Sequence, residues 1–281
     1  MTNENKNIAI ILLVLALFTG ATIELSEGTP LVGVILFLIA AFLITRIDIS
    51  KGQEHRRSIA LILLGSFIVL ADVVFNYGSQ SSIGTLDSMT FFLGLSLIAA
   101  GMNSPQIKKM GQFGAYISGI FIVLFLVFYT LFGALNIDFL HIFDHYFVLL
   151  PTVAIMKLFG IPLEVVAIET VRMSGVEELT IIIGGPCSGL YSMFLLIGIV
   201  VGYGAVEKIP VNRILFLLGF AIAVAYIANL VRVMILYITA YFYGYDAMMT
   251  VHTHIGWMIF AAVAGAIMYI MDLQRRTVKD Q

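Results

Sequence analysis

Residues 213–236 read RILFLLGFAIAVAYIANLVRVMIL. Behind Arg213 the run carries only two strongly polar side chains, Asn229 and Arg232. Crossing a bilayer core as a helix takes roughly 20 mostly apolar residues, and a helix pairs all of its own backbone groups within one segment. The stretch therefore predicts a transmembrane helix over 214–236. Comparable runs lie near 8–23, 31–45, 58–75, 87–104, 114–134, 188–206 and 255–272. The chain reads as an all-α polytopic membrane protein with about eight transmembrane helices. Pro30, Pro105, Pro151, Pro162, Pro186 and Pro210 fall between these runs or at their edges, as helix breakers do. No segment repeats at a fixed period.

Composition says the same. Of 281 residues, 60% are apolar and 11% are charged, and the mean hydropathy is +1.04. A soluble domain carries about a quarter charged residues because its surface faces water. The net charge of −2 and the lack of a basic stretch argue against nucleic acid as a partner. A single cysteine excludes an intrachain disulfide framework. No small-residue cleavage site follows the first apolar run, so that run reads as a retained span.

Lysine and arginine set the expected orientation. Lys6, Arg46, Lys51, Arg56, Arg57, Lys108, Lys109, Lys208, Arg213, Arg275, Arg276 and Lys279 are 12 of the 15 basic residues, and all fall on one side of an eight-span arrangement. That side is the expected cytoplasmic one, with both termini inside and the chain multi-pass in the cell membrane. Lys157, Arg172 and Arg232 are left for the outside or the membrane.

Residues 135–186 form the longest connection. Tyr146 to Ile161 is apolar, but at about 16 residues and with Pro151 and Lys157 it is a poor crosser and predicts an interfacial or re-entrant helix. A crossing there would invert every later loop. Beyond Pro162, Glu164–Met173 and Leu179–Ile183 are rich in β-branched residues, with Ser174-Gly175-Val176-Glu177 between them, which predicts a β-hairpin. The expected organisation is three parts: transmembrane helices 1–5 over 1–134, a small extracellular or interfacial cap over 135–186, and catalytic helices 6–8 with a cytoplasmic tail over 187–281.

Chemistry concentrates at the outer ends of the last three spans. Cys187 stands in Gly184-Gly185-Pro186-Cys187-Ser188-Gly189-Leu190. A membrane cysteine is often inert packing, but glycines here permit close approach, and Pro186 suits a first helical turn. A helix N-terminus lowers a thiol's pKa and favours the thiolate. Arg232 either snorkels to the outer headgroups or serves a function, since an arginine within a span is costly. His252 and His254 lead into the last span and are either interfacial companions of Trp257 or catalytic bases.

Depth brings the three together. Arg213 to Arg232, Lys208 back to Cys187, and Arg275 back to His252 cover roughly 28, 31 and 34 Å at 1.5 Å per residue. A thiol, a guanidinium and an imidazole at one level suit acyl transfer. The imidazole takes the thiol proton, and the arginine stabilises the oxyanion or orients the substrate.

Cys187-Ser188-Gly189, Asn229-x-x-Arg232-Val233 and His252-x-x-x-Gly256-Trp257 resemble, in this order, the signatures of the exosortase/archaeosortase family. The likeness covers roughly 140–272, and the small size without an appended soluble domain is most similar to an archaeosortase. It implies a membrane cysteine transpeptidase acting on exported proteins with a C-terminal sorting signal: a short motif, a membrane helix and a basic tail. Carried over by position, Cys187 is the nucleophile that holds a thioester, Arg232 the motif arginine and His252 the imidazole, with His254 as the other choice. The acyl acceptor that the resemblance implies is a membrane lipid. Gly185, Ser188, Gly189, Asn229 and Arg172 are candidate substrate contacts. No cofactor and no metal are implied.

Two other classes stay open on the residues alone. His141 and His145, four apart, could join His252 and His254 in a zinc site, although no His-Glu-x-x-His order is present. Asp144 between them could instead orient the catalytic imidazole. A transporter or structural bundle is the other class, but such proteins bury ionisable groups at mid-membrane, where only Asp72 and Arg232 come close.

Overall fold

The computed structural model describes Val14 and residues 30–45, 57–79, 84–137, 139–183 and 188–279. The expected first span at 8–23 lies outside the described residues, Val14 apart. The helices are α1 (Pro30–Thr45), α2 (Ile59–Ser79), α3 (Thr85–Ala100) and α4, which runs Pro105–Phe125, continues through a wide π turn at Leu126–Leu131 and ends at Phe132–Ala134. Next comes α5, built of Phe139–Phe143, a π turn at Asp144–Leu149 and Leu150–Leu158. Strands β1 (Leu163–Ala167), β2 (Thr170–Ser174) and β3 (Glu178–Ile182) precede α6 (Leu190–Val206), α7 (Val211–Tyr243) and α8 (Tyr245–Lys279).

Local chemistry explains the boundaries. α4 starts after Ser104 with Pro105 in its first turn, where the missing N–H costs nothing. The Gly84 N–H at the start of α3 donates to the Asp87 carboxylate at 2.9 Å. The π turn of α5 lies directly before Pro151, where the proline lacks a donor and a regular ladder would be interrupted.

By length and apolar composition, five described helices can cross a membrane: Ile59–Gly78, Ile107–Ala134, Phe139–Leu158, Val211–Tyr243 and Tyr245–Met271. Thr85–Ala100 and Leu190–Val206 are apolar but shorter. The expected spans from 31 to 134 and from 188 to 272 thus fall on helices, and five of the helices among the described residues have the length and apolarity to cross. The segment expected to be a poor crosser belongs to the five. Phe139–Phe143 lengthens it to 20 residues, and the π turn carries the helix through Pro151.

The chain divides into two compact units. One comprises Ile49–Ile137 and Tyr191–Ile222. Here α2 and α3 approach backbone to backbone: a Cβ on Gly65 would lie 2.5 Å from the Gly94 carbonyl oxygen. Small residues of this kind let membrane helices gain van der Waals contact where water provides no driving force. Phe121 meets Tyr191 and Phe194 with ring centroids 6.0 Å apart, tying α4 to α6. Leu63, Phe67, Leu70 and Val74 form an exposed stripe along α2 at helical spacing. In a membrane protein that stripe faces lipid.

The other unit comprises Met1–Asp48, Asp138–Leu190 and Ala223–Gln281. Its core joins Val148, Leu149, Val153 and Met156 of α5 to Leu163, Val171 and Met173 of the sheet and to Val233, Leu236, Tyr237 and Ala240 of α7. The sheet is antiparallel in the order β1-β2-β3. Val171 and Met173 are buried while Arg172 between them is exposed, the two-residue period of a half-buried strand. The expected hairpin is therefore a three-stranded meander. Glu164–Met173 is not one strand but two, broken at Ile168-Glu169, a turn without the glycine, proline or asparagine that usually announces one. The β2–β3 turn sits on the end of α7, where Val176 N–H donates at 3.0 Å to the Tyr241 carbonyl, one of the last carbonyls a helix leaves unpaired.

Candidate active site

Cys187 and Gly185 lie outside the described residues, and the chain resumes at Ser188. Ser188 is 3% exposed. Its Oγ accepts the Leu190 N–H at 3.3 Å, where α6 begins. Gly189 has φ +80°. That left-handed backbone cannot belong to a right-handed helix, so α6 starts after it, at Leu190.

Asn229, on α7, reaches this segment. Its Nδ2 donates to the Ser188 carbonyl oxygen at 2.8 Å. The amide lies flat against Gly189, where a Cβ would come within 2.5 Å of Asn229 Cγ. Glycine is required there twice, for the backbone angle and for the space. A buried donor–acceptor pair of this kind fixes position, because breaking it strands polar groups away from water.

One turn further along the same face of α7 stands Arg232. Its guanidinium lies over Gly256 of α8: a Cβ at that glycine would be 3.0 Å from Nη2, 3.1 Å from Cζ and 3.3 Å from Nε. Gly256 thus acts as a seat for the planar group. His252 lies four residues earlier on α8, one turn away on the same stripe, whereas His254 is rotated roughly 160° around the helix from Gly256. Both imidazoles are half-buried, as is Trp257.

Asn229-x-x-Arg232 is therefore a two-ended clamp on one helix face. Its first residue holds the segment that follows Cys187, and its second, also on α7, rests against Gly256 of α8, the helix that bears the histidines. The spacing of three in one motif and four in the other is the spacing of a single helical turn, which is why neighbouring helices can meet through them.

Other expected site residues fall elsewhere. Arg172 is exposed on the sheet, opposite Glu164 on β1 and Thr180 on β3. With Lys157, Glu164 and Ser174 it lines an open cleft of about 500 Å³ that includes none of the three motifs. His141 Nδ1 pairs with the Glu169 carboxylate. His145 Nδ1 donates to the Ile168 carbonyl at 2.6 Å. Both histidines thereby fasten α5 to the β1–β2 turn, a role that the helix spacing did not announce because the turn was not expected. Asp144 is buried on α5 at 2% exposure. Among the described residues, no three histidine, cysteine or acidic side chains are grouped as metal ligands.

The model of the transmembrane exosortase family (Exosortase_EpsH) matches residues 24–269. The chain belongs to the exosortase family. No curated protein and no solved structure matches it. The match takes in the expected spans from residue 31 to 134, which carry no motif, as well as the three motifs of the C-terminal half. Membership in the exosortase family implies a multi-pass membrane protein that processes exported proteins at a C-terminal sorting signal, and suggests cysteine peptidase or transpeptidase chemistry.

Proposed function

We propose that this exosortase is a cysteine protease-transpeptidase of the archaeosortase type, with its site at the outer face of the cell membrane. The Cys187 thiolate attacks the carbonyl carbon of the scissile peptide bond in the sorting signal. Arg232 stabilises the developing oxyanion or holds the substrate, and His252, charged with the thiol proton, returns it to the departing amine. The acyl part then remains on Cys187 as a thioester. A lipid hydroxyl or amine gives up its proton to His252, attacks the thioester and displaces the thiolate.

The observation that carries the reading is the Asn229 clamp. It ties residue 188, next to the nucleophile, to the helix whose next turn brings Arg232 onto Gly256, one turn from His252. Rotation about α8 favours His252 over His254 as the base.

The outward orientation draws on length as well as charge. At 33 and 35 residues, α7 and α8 measure roughly 50 Å each, well beyond a 30 Å hydrocarbon core. The excess beyond Arg232, Val233 to Tyr243, is the part that packs with α5 and the sheet. We read α5 as a cap helix on that overhang, which keeps both termini cytoplasmic.

The test is cell-surface processing of a co-expressed exported protein with a C-terminal signal of motif, apolar helix and basic tail. Cys187→Ala and Cys187→Ser should both abolish processing at wild-type membrane levels. Full processing by the alanine variant would end the thioester mechanism.

A further inference from the structure

We infer that the free edge of β3 is the docking strand for the sorting motif, which pairs with it as a fourth, extended strand; this rests on the processing role proposed above. The order β1-β2-β3 gives β3 a neighbour on one side only among the described residues.

The ladder fixes which groups face outward. Ile183 N–H donates to the Glu169 carbonyl at 2.7 Å, and Gly175 N–H to the Glu177 carbonyl at 3.1 Å. In the β2–β3 register, Val171 pairs with Ile181 and Met173 with Leu179. An antiparallel ladder alternates, so Leu179 and Ile181 bond inward to β2, and Glu178, Thr180 and Ile182 turn their N–H and C=O groups to the open side. The side chains of Glu178, Thr180 and Ile182 are exposed as well, Ile182 by 69%.

The two edges of the sheet differ. β1 carries a bulge between Val165 and Ala167. Bulges blunt an edge against pairing. β3 has no register shift, no proline and no lysine, and its one charge, Glu178, stands at its first residue, so the edge from Leu179 to Ile182 remains a template for another chain.

Position identifies the occupant. Ile182 is five residues before Cys187, at most about 17 Å of extended chain. A peptide must be extended to offer a scissile bond, and pairing by strand addition supplies affinity through the main chain while leaving side chains to be read. The segment just before the substrate's membrane helix meets that need.

The chain's one native cysteine makes the test clean. In a Cys187→Ala background, Thr180→Cys is combined with an exported reporter carrying single cysteines through its motif, and disulfides are formed by mild oxidation. Crosslinks should fall on alternate reporter positions, and moving the enzyme cysteine to Ile182→Cys should shift the preferred partner by two residues. Crosslinks without that period, none at all, or disulfides joining two copies of this chain would overturn the proposal. With Cys187 present, Thr180→Pro removes only an outward N–H and should slow reporter processing about tenfold. Unchanged processing by that variant would dismiss the edge yet leave the exosortase activity standing, whereas failure of the wild-type chain to process would remove the activity itself.

Discussion

Asn229 holds its neighbour through one hydrogen bond to the Ser188 carbonyl, in a place where water cannot replace it. Asn229→Ala is expected to strand that carbonyl at a cost of about 1–3 kcal/mol and to lower processing by at least tenfold at normal membrane levels, read by the surface assay. Gly256 tests the other end of the clamp. In Gly256→Ala the new methyl meets the Arg232 guanidinium at 3.0 Å, so the planar group must move by a few tenths of an ångström. Small displacements of an orienting group cost roughly tenfold or more in rate, so kcat should fall while the protein stays folded. Comparing His252→Ala with His254→Ala separates the two imidazoles: the first should abolish processing and the second reduce it several-fold at most. The motif residues were visible in the sequence because an arginine or a lone cysteine is conspicuous in apolar surroundings. The glycine seat was legible only as a register mark, since its function depends on the guanidinium of another helix.

At the scale of elements, helices were legible, and the sheet was legible in place but not in strand number. Apolar runs of 15 residues or more mark membrane helices strongly, and each such run from 31 to 134 and from 188 to 272 is helical. Residues 146–161 read as a poor crosser because the apolar stretch is about 16 residues long and holds Pro151 and Lys157, whereas the helix begins at Phe139 and a π turn at Asp144–Leu149 leads it into the proline. β1 and β2 merged into one expected strand because Ile168-Glu169 carries no turn signal. What the short sheet depends on is its seat on α7. A Cβ on Gly175 would lie 2.3 Å from the Tyr241 carbonyl oxygen, with backbone on both sides and nothing flexible to yield. Gly175→Val should lift the β2–β3 turn, break the Val176–Tyr241 bond and destabilise the cap by about 1–3 kcal/mol. Faster hydrogen exchange at residues 170–182 in detergent would report it, with α2 and α3 unaffected.

For the whole molecule, sidedness and catalysis are linked, because the proposed site requires the sheet to face outward. In the Cys187→Ala background, a single cysteine at Val176 should react with a membrane-impermeant maleimide added to intact cells, and one at Lys208 only after the cells are opened. Labelling of Lys208→Cys from outside would place the basic loops on the wrong side and the cap within the cell. Composition made the membrane class plain, but no pattern in the sequence settles how many helices cross, because α3, α5 and α6 lie near the length at which crossing and lying flat compete. The most direct test of the central claim is to look for the covalent intermediate. Wild-type chain and an exported reporter are co-expressed, denatured without reducing agent, and examined for a joint species before and after neutral hydroxylamine. The expected result is a species with the mass of chain plus cleaved reporter, attached at Cys187, cleaved by hydroxylamine and absent from Cys187→Ala. Processing that proceeds with no such species, or a species that persists without Cys187, would contradict it.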